Sequence, residues 1–389
     1  MLKRDFTEDH HAFRDAYRKF LHKEAVPNME RWREEGIVDR NLFRKAGDQG
    51  FLMLWPDEEY GGAGLNDFRF EQIIIEETCY ALCFEWYNSL HSRLCGPYIS
   101  RFGSKEQCQR FLPKCVSGEH ILAIGMTEPD AGSDLAGIRT TAKDMGDHWL
   151  LNGSKTYISN GINADIVIVA AKSDAENGRA IGLFLVERGM PGFERGRNLS
   201  KLGQPAQDTA ELFFNNVKVP KINVLGDAKR GFYYMMEGLA EERLIGAVGY
   251  LGSAQKAFDI TVDFVKQRKA FGKRIADFQN TQFKMAEMRT ELDHAQVYLD
   301  QCVAVHNRGE LSAVDAAKVK LFSSEVQCRV VDECLQLHGG AGYMDEYPIS
   351  RMYRDARISR IYAGSSEIMK LIISRDIFGE DHVPFVDRQ

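Results

Sequence analysis

The feature that most limits the fold of this chain is a change of texture near residue 123. Before it the pattern is helical: Phe13, Tyr17 and Phe20 fall on one helix face, as do Ile73, Ile74, Thr78 and Ala81. After it come short segments, DHWLLNGSKTYIS, ADIVIVAA, AIGLFLVE and AELFFNNVKVP, rich in β-branched and aromatic residues and separated by Gly, Asn and Pro. These predict strands of a compact antiparallel unit. Beyond GDAKRG helical periodicity resumes. Its first run, GFYYMMEGLAEERLIGAVGYLGSAQKAFDITVDFVKQRKAF, reads as one long amphipathic helix. The interior glycines Gly238, Gly246, Gly249 and Gly252 predict close packing against neighbouring helices. The expected fold is mainly α with a central β-domain, divided as 1–122 (helical), 123–228 (β) and 229–389 (helical).

With 389 residues and 44% hydrophobic composition, the chain can bury a large core and exceeds one ordinary layer architecture. A net charge of −6 argues against nucleic acid as the main ligand, because phosphate binding needs a basic field. None of the eight cysteines forms a CxxC pair, which predicts free thiols in a reducing compartment and no zinc site. The start, MLKRDFTEDHHAFRDAYRKF, has no apolar signal core and carries acids that transit peptides avoid. No run approaches the ~20 apolar residues of a membrane span. The closing VPFVDRQ matches no anchor or peroxisomal address. The expectation is a cytoplasmic protein, or a mitochondrial matrix protein if this is a trimmed mature form. The Gly-rich EYGGAGL and HGGAGYM lack a βαβ context, so a Rossmann site is not expected. No GxSxG elbow, HExxH helix or P-loop occurs.

Four stretches carry a resemblance: MTEPDAGSD (126–134), QRKAFGKRI (267–275), QLHGGAGYM (336–344) and RIYAGSSEIM (360–369). In this order and spacing they resemble the acyl-CoA dehydrogenase family over nearly the whole chain. GFYYMM, QDTAELFF and VKQRKAFGK are similar to its long-chain type. The resemblance implies an N-terminal helical domain, an antiparallel β-domain and a C-terminal four-helix bundle. It also implies FAD as cofactor. Met126 and Thr127 would then contact the flavin pyrimidine edge, Ser133 the flavin or acyl-CoA, Tyr157 the flavin ring and Ser159 its N5. Arg268, Phe271 and Gln279 would reach the FAD of a neighbouring subunit, whose Gln336 and Gly340 meet the adenosine half. Such crossing implies an obligate oligomer, a tetramer built from two dimers. Ser365 and Glu367 align with residues that hydrogen-bond FAD. Read alone, MTEPDAGSD is an ordinary turn-rich loop and QRKAFGKRI a solvated basic helix end. Asp130 stands where the family usually has Gly; Asp tolerates left-handed backbone better than most residues.

The family's reaction is α,β-dehydrogenation of an acyl-CoA thioester, with electrons passed on to electron-transferring flavoprotein. A base removes the α-proton, and many members carry that base as a glutamate between the Tyr and Gly of RIYAGSSEIM. Here that residue is Ala363, which takes no proton. Its backbone N–H can still serve the thioester oxygen. A subset of the family, including long-chain and isovaleryl types, carries its glutamate early in the long helix, immediately before an Arg. That position is Glu242, followed by Arg243. Met235, Leu239, Glu242 and Gly246 follow helix spacing and predict an inward face holding one carboxylate. Burial would raise its pKa, which suits a general base. Glu237 and Glu241, four apart, read as a solvated stripe. By the sequence alone, Glu242 could equally be exposed or paired with Arg243. The same resemblance makes Tyr233, Arg243, Ala363 and Gly364 acyl-CoA contacts; for Tyr233, core packing is the other reading. The small residues Ser89, Ser92 and Gly96 suggest either pocket room or tight helix packing.

The leading expectation is a dehydrogenase acting on medium-chain, long-chain or branched acyl-CoA, with the isovaleryl type behind it. An oxidase handing electrons to O₂ is the competing enzyme. A non-catalytic, DNA-associated relative would want a basic surface and no base, and both the −6 charge and Glu242 speak against it.

Overall fold

The computed structural model describes residues 3–174, 177 and 180–379; VPFVDRQ lies outside them. Helix α1 (Glu8–Phe20) starts in a capping box between Thr7 and His10. Helices α2 (Met29–Glu35) and α3 (Arg40–Asp48) follow, and α4 (Phe68–Tyr80) is capped by Asp67. Helix α4 is buried almost all round, between α1 and the long helix of the third domain. A π-helical segment, Leu90–Cys95, leads into α5 (Gly96–Phe102), and α6 (Lys105–Val116) starts in a Ser104–Gln107 capping box. Two of the three small residues at the entry to α5, Ser89 and Gly96, are packed tightly. A Cβ on Gly96 would sit 2.2 Å from the Met53 methyl, and Ser89 donates to buried Glu71 at 2.5 Å.

The central domain is a curled seven-stranded sheet. Its strands are β1 (Leu122–Gly125), β2 (Thr141–Asp144), β3 (His148–Ser159), β4 (Ile166–Lys172), β5 (Ile181–Glu187), β6 (Phe193–Asn198) and β7 (Thr209–Pro220). The order is β1-β4-β2-β3-β7-β6, with β5 paired to β4. The β2–β3, β3–β7, β4–β5 and β6–β7 pairs are antiparallel, but β1 and β2 run parallel to β4. Neither of those two strands is joined to β4 by a hairpin, so nothing forces an antiparallel pairing. Strands β4 and β5 are buried along nearly their whole length, as their continuous apolar sequence requires.

Helix α7 (Gly231–Gln267) opens the third domain. A two-strand hairpin, β8 (Lys269–Ala270) and β9 (Lys273–Arg274), links it to α8 (Gln279–Asn307). Then come α9 (Ala313–His338), α10 (Pro348–Ala356) and α11 (Ser366–Phe378). Helix α7 packs on α8, α9 and α4 through Leu244, Val248 and Leu251. Its glycines are where neighbours press closest: a Cβ on Gly249 would lie 2.7 Å from the Phe84 ring, and one on Gly252 3.2 Å from Cys79. All eight cysteines are free thiols, seven of them buried. Among the described residues no helix is long and apolar enough to cross a membrane.

Candidate active site

The early turns of α7 set the central pair of carboxylates. Met235 and Gly246 are buried and Leu239 is half-buried, so the predicted inward face exists, and Glu242 lies on it. Its side chain is half-buried, yet protein atoms ring the carboxyl. Burial pushes its pKa up to about 7, against the opposing pull of a Tyr98 hydrogen bond and the Arg243 charge. The Tyr98 hydroxyl donates to Oε1 at 3.0 Å.

Glu241 corrects the expectation of a solvated stripe. It is 4% exposed. Arg93 Nε bonds its Oε1, Arg101 Nη2 bonds its Oε2 at 2.7 Å, and His306 Nε2 stands 3.8 Å away. Burial opposes ionisation there, but the charges of Arg93, His306 and Arg101 overcome it and hold the carboxyl below its ordinary range. Glu237 alone of the supposed stripe is exposed. The helix period places Glu241 off the Glu242 face, but α5 and the end of α8 cover that side too.

The 360–369 stretch brings Ala363 to the same neighbourhood. Tyr87 lies near both Glu242 and Tyr362, the residue before Ala363, and the Tyr362 ring centre is 5.9 Å from that of Tyr250. Ala363 has φ +53° and Gly364 φ +88°, a left-handed pair that a non-glycine adopts only under constraint. The constraint is fully buried Lys320 on α9, whose ammonium donates to the Gly364 carbonyl at 2.6 Å. Burial lowers the Lys320 pKa to about 8. Among the described residues nothing accepts a hydrogen bond from the Ala363 N–H. Ser365 caps α11, and Glu367 is exposed in the first turn of that helix, where backbone N–H and the Ser365 hydroxyl hold its carboxyl low.

The MTEPDAGSD loop and the end of β3 are pinned together by a buried pair. Lys155 Nζ contacts Glu128 at 2.7 Å and the Met126 carbonyl at 3.0 Å, and Thr156 N–H donates to the Thr127 carbonyl. The β3–β7 register slips between Lys155 and Ile158, and at that bulge Tyr157 takes φ +59°. Its ring is turned outward and 69% exposed, while Ser159 is half-buried on the same strand. Met126 and Thr127 are half-buried; Ser133 is exposed. Asp130 is taken up by Arg139 at 2.9 Å on the surface, so the extra carboxylate has a partner.

A second group is solvent-facing in the single chain. The β8–β9 turn, Phe271 at φ +51° and Gly272 at φ +74°, leaves Phe271 96% exposed. Arg268 and Gln279 flank it, both exposed, and among the described residues no carboxylate pairs with Arg268. Gln336 and Gly340 lie at the end of α9, and the two loops are joined by Phe264 stacked 4.2 Å from His338. A Cβ on Gly340 would meet nothing within 4 Å. Tyr233, 61% exposed on the first turn of α7, is not a core residue. Arg243 is buried, and its Nε has no protein partner among the described residues.

The sequence reading missed Tyr98, Arg93, Arg101, Lys155, Glu128 and Lys320. Two signals were available. Lys320 is a cation inside the apolar AAKVKLF, and Tyr98 and Arg101 are one helical turn apart.

Three family models match the chain: acyl-CoA dehydrogenase N-terminal domain over residues 7–119, middle domain over 123–217 and C-terminal domain over 229–378. The mitochondrial long-chain specific acyl-CoA dehydrogenase of Sus scrofa is 45% identical over 379 residues, covering 97% of this chain and 88% of that protein. The mitochondrial isovaleryl-CoA dehydrogenase of Oryza sativa subsp. japonica is 37% identical over 380 residues, covering 97% and 93%. The crystal structure of an acyl-CoA dehydrogenase from Geobacillus kaustophilus superposes with a TM-score of 0.94 at 48% identity, covering 96% of this chain and 99% of that one. The chain belongs to the acyl-CoA dehydrogenase family.

Proposed function

We propose that this enzyme dehydrogenates the α,β bond of medium-chain, long-chain or branched acyl-CoA thioesters with FAD, and that Glu242 is its base. The observation that carries this reading is a carboxyl on the inward face of α7, bonded only by the Tyr98 hydroxyl among the described residues and pushed by burial to a pKa of about 7, together with an Ala363 N–H that has no protein acceptor among the described residues. The residues present fit a flavin. Tyr157 offers an outward ring on a strained bulge, with Met126, Thr127, Ser133 and Ser159 on the adjoining loop and strand. Ser365 and Glu367 stand at the start of α11. Arg268, Phe271 and Gln279, with Gln336 and Gly340, offer an exposed cation, ring and amides to a diphosphate and adenosine held between subunits. Bound FAD supplies the hydride acceptor for the β-carbon.

The protein's own groups do the rest. Glu242 Oε1 is taken by Tyr98, leaving Oε2 to accept the α-proton. The Ala363 N–H donates to the thioester oxygen as negative charge develops there. Tyr233, Arg243, Ser133 and Gly364 position the acyl-CoA. Electrons leave to electron-transferring flavoprotein, and the working form is a tetramer of two dimers, in the cytoplasm or, after trimming, the mitochondrial matrix. The 45% identity to a long-chain specific relative supports the chain-length reading over the isovaleryl one. A panel of saturated acyl-CoAs from about four to sixteen carbons, assayed with an artificial acceptor, tests it. Turnover is expected with longer chains; activity confined to isovaleryl-CoA would overturn the preference. Rapid O₂ consumption without an acceptor would make the enzyme an oxidase.

A further inference from the structure

Among the described residues, Tyr98 alone hydrogen-bonds Glu242. Arg101, one turn further along α5, carries the ion pair to Glu241 at 2.7 Å. Two side chains three residues apart on α5 thus grip two consecutive carboxyls on α7. Arg93, from the π-helical segment that feeds α5, completes the hold on Glu241. Gly238 makes the approach feasible: a Cβ there would lie 2.8 Å from the Tyr98 hydroxyl and 3.2 Å from Glu242 Oε1.

We propose that Tyr98 is a positioning residue for Glu242, aimed by the Arg101–Glu241 ion pair and admitted by Gly238. The proposal rests on the reading of Glu242 as the base. The hydrogen bond fixes which carboxyl oxygen faces the substrate, and it favours the charged form against burial. The other ionisable groups around Glu242 are Arg243 and Glu241 on its own helix, Arg101 on α5, Arg93 and Cys95 from the π-helical segment, and Tyr87 before it. None of these donates to the carboxyl.

The test is Tyr98→Phe in the holoenzyme, read by FAD content, kcat, KM and the pH dependence of flavin reduction with one saturated acyl-CoA. FAD and KM should stay near wild type. The acid limb should move up by about one pH unit, the scale of a lost hydrogen bond to a charged group, and kcat near pH 7 should fall about tenfold. Gly238→Ala keeps the hydroxyl but pushes it aside, so it should move the limb in the same direction. A wild-type kcat with an unshifted limb in Tyr98→Phe overturns the proposal. So does a change confined to KM, which would make Tyr98 only a pocket wall. If Tyr98→Phe loses FAD, Gly238→Ala decides by the same criteria. Glu242→Gln, run alongside, separates the two claims: if active, it removes the base assignment itself; if inactive while Tyr98→Phe behaves as wild type, only the positioning role fails.

Discussion

Glu241 and Glu242 are consecutive residues of one helix, yet their surroundings push the two carboxyls in opposite directions. Glu241 meets Arg93 and Arg101, with His306 beyond, and is kept charged. Glu242 meets one phenol and is pushed towards neutrality, to about pH 7. Surroundings that drive the pKa values of two neighbouring carboxyls apart fit the proposed division of labour, with Glu241 structural and Glu242 exchanging the proton.

That division predicts unlike effects of the same substitution. Glu241→Gln should destabilise the fold, because Arg93, a cation left only 9% exposed, would lose its counter-charge. Breaking one side of such a pair typically costs roughly 3–5 kcal/mol. Urea unfolding of wild type and variant measures it. A loss under about 1 kcal/mol would mean that solvent already screens the cluster.

Glu242 should carry the reverse signature. Its folded pKa lies near 7 against an ordinary 4.5. Below 4.5 the group is protonated in both states and costs nothing. Between 4.5 and 7 the unfolded chain ionises first, so the folded state loses ground, and above 7 the full cost is present. Glu242→Gln removes that cost. Its stability relative to wild type should therefore rise across this window, by up to about 3 kcal/mol. Thermal unfolding of the holoenzymes at pH 5 and pH 8 checks it. A difference that is flat with pH would contradict the raised pKa.

How much of this was legible in the sequence follows from what each feature depends on. The helix–sheet–helix order was readable because hydrophobic periodicity reports it directly, and the α7 glycines announced the close contacts with Phe84 and Cys79. The inward placing of Glu242 was readable from the spacing of Met235, Leu239 and Gly246. Glu241 was misread because its burial comes from Arg93, Arg101 and His306, which are 148, 140 and 65 positions away along the chain. Helix period reports which side of α7 a residue occupies, not what covers that side. The parallel β1–β4 pairing and the Tyr157 bulge were hidden for a similar reason: register depends on strands distant in sequence.

Arg268 tests the second group of residues. As an exposed guanidinium without a carboxylate partner among the described residues, it suits a diphosphate donated by another subunit. Arg268→Ala should leave the isolated chain's fold unchanged and weaken FAD retention, seen as cofactor lost on gel filtration of the dilute protein. Wild-type FAD affinity would remove Arg268 from the cofactor site.

The central claim is that Ala363 marks a relocated base, and anaerobic stopped-flow reduction of the flavin by one good saturated acyl-CoA tests it most directly. Glu242→Gln keeps the size of the side chain and can still bond Tyr98, but it cannot accept the α-proton. The account predicts a folded, yellow protein that binds acyl-CoA and whose flavin bleaches at least 10²-fold more slowly than wild type, the lower end of what a positioned general base contributes. Reduction at the wild-type rate would contradict it, and the proton would have to go to another group.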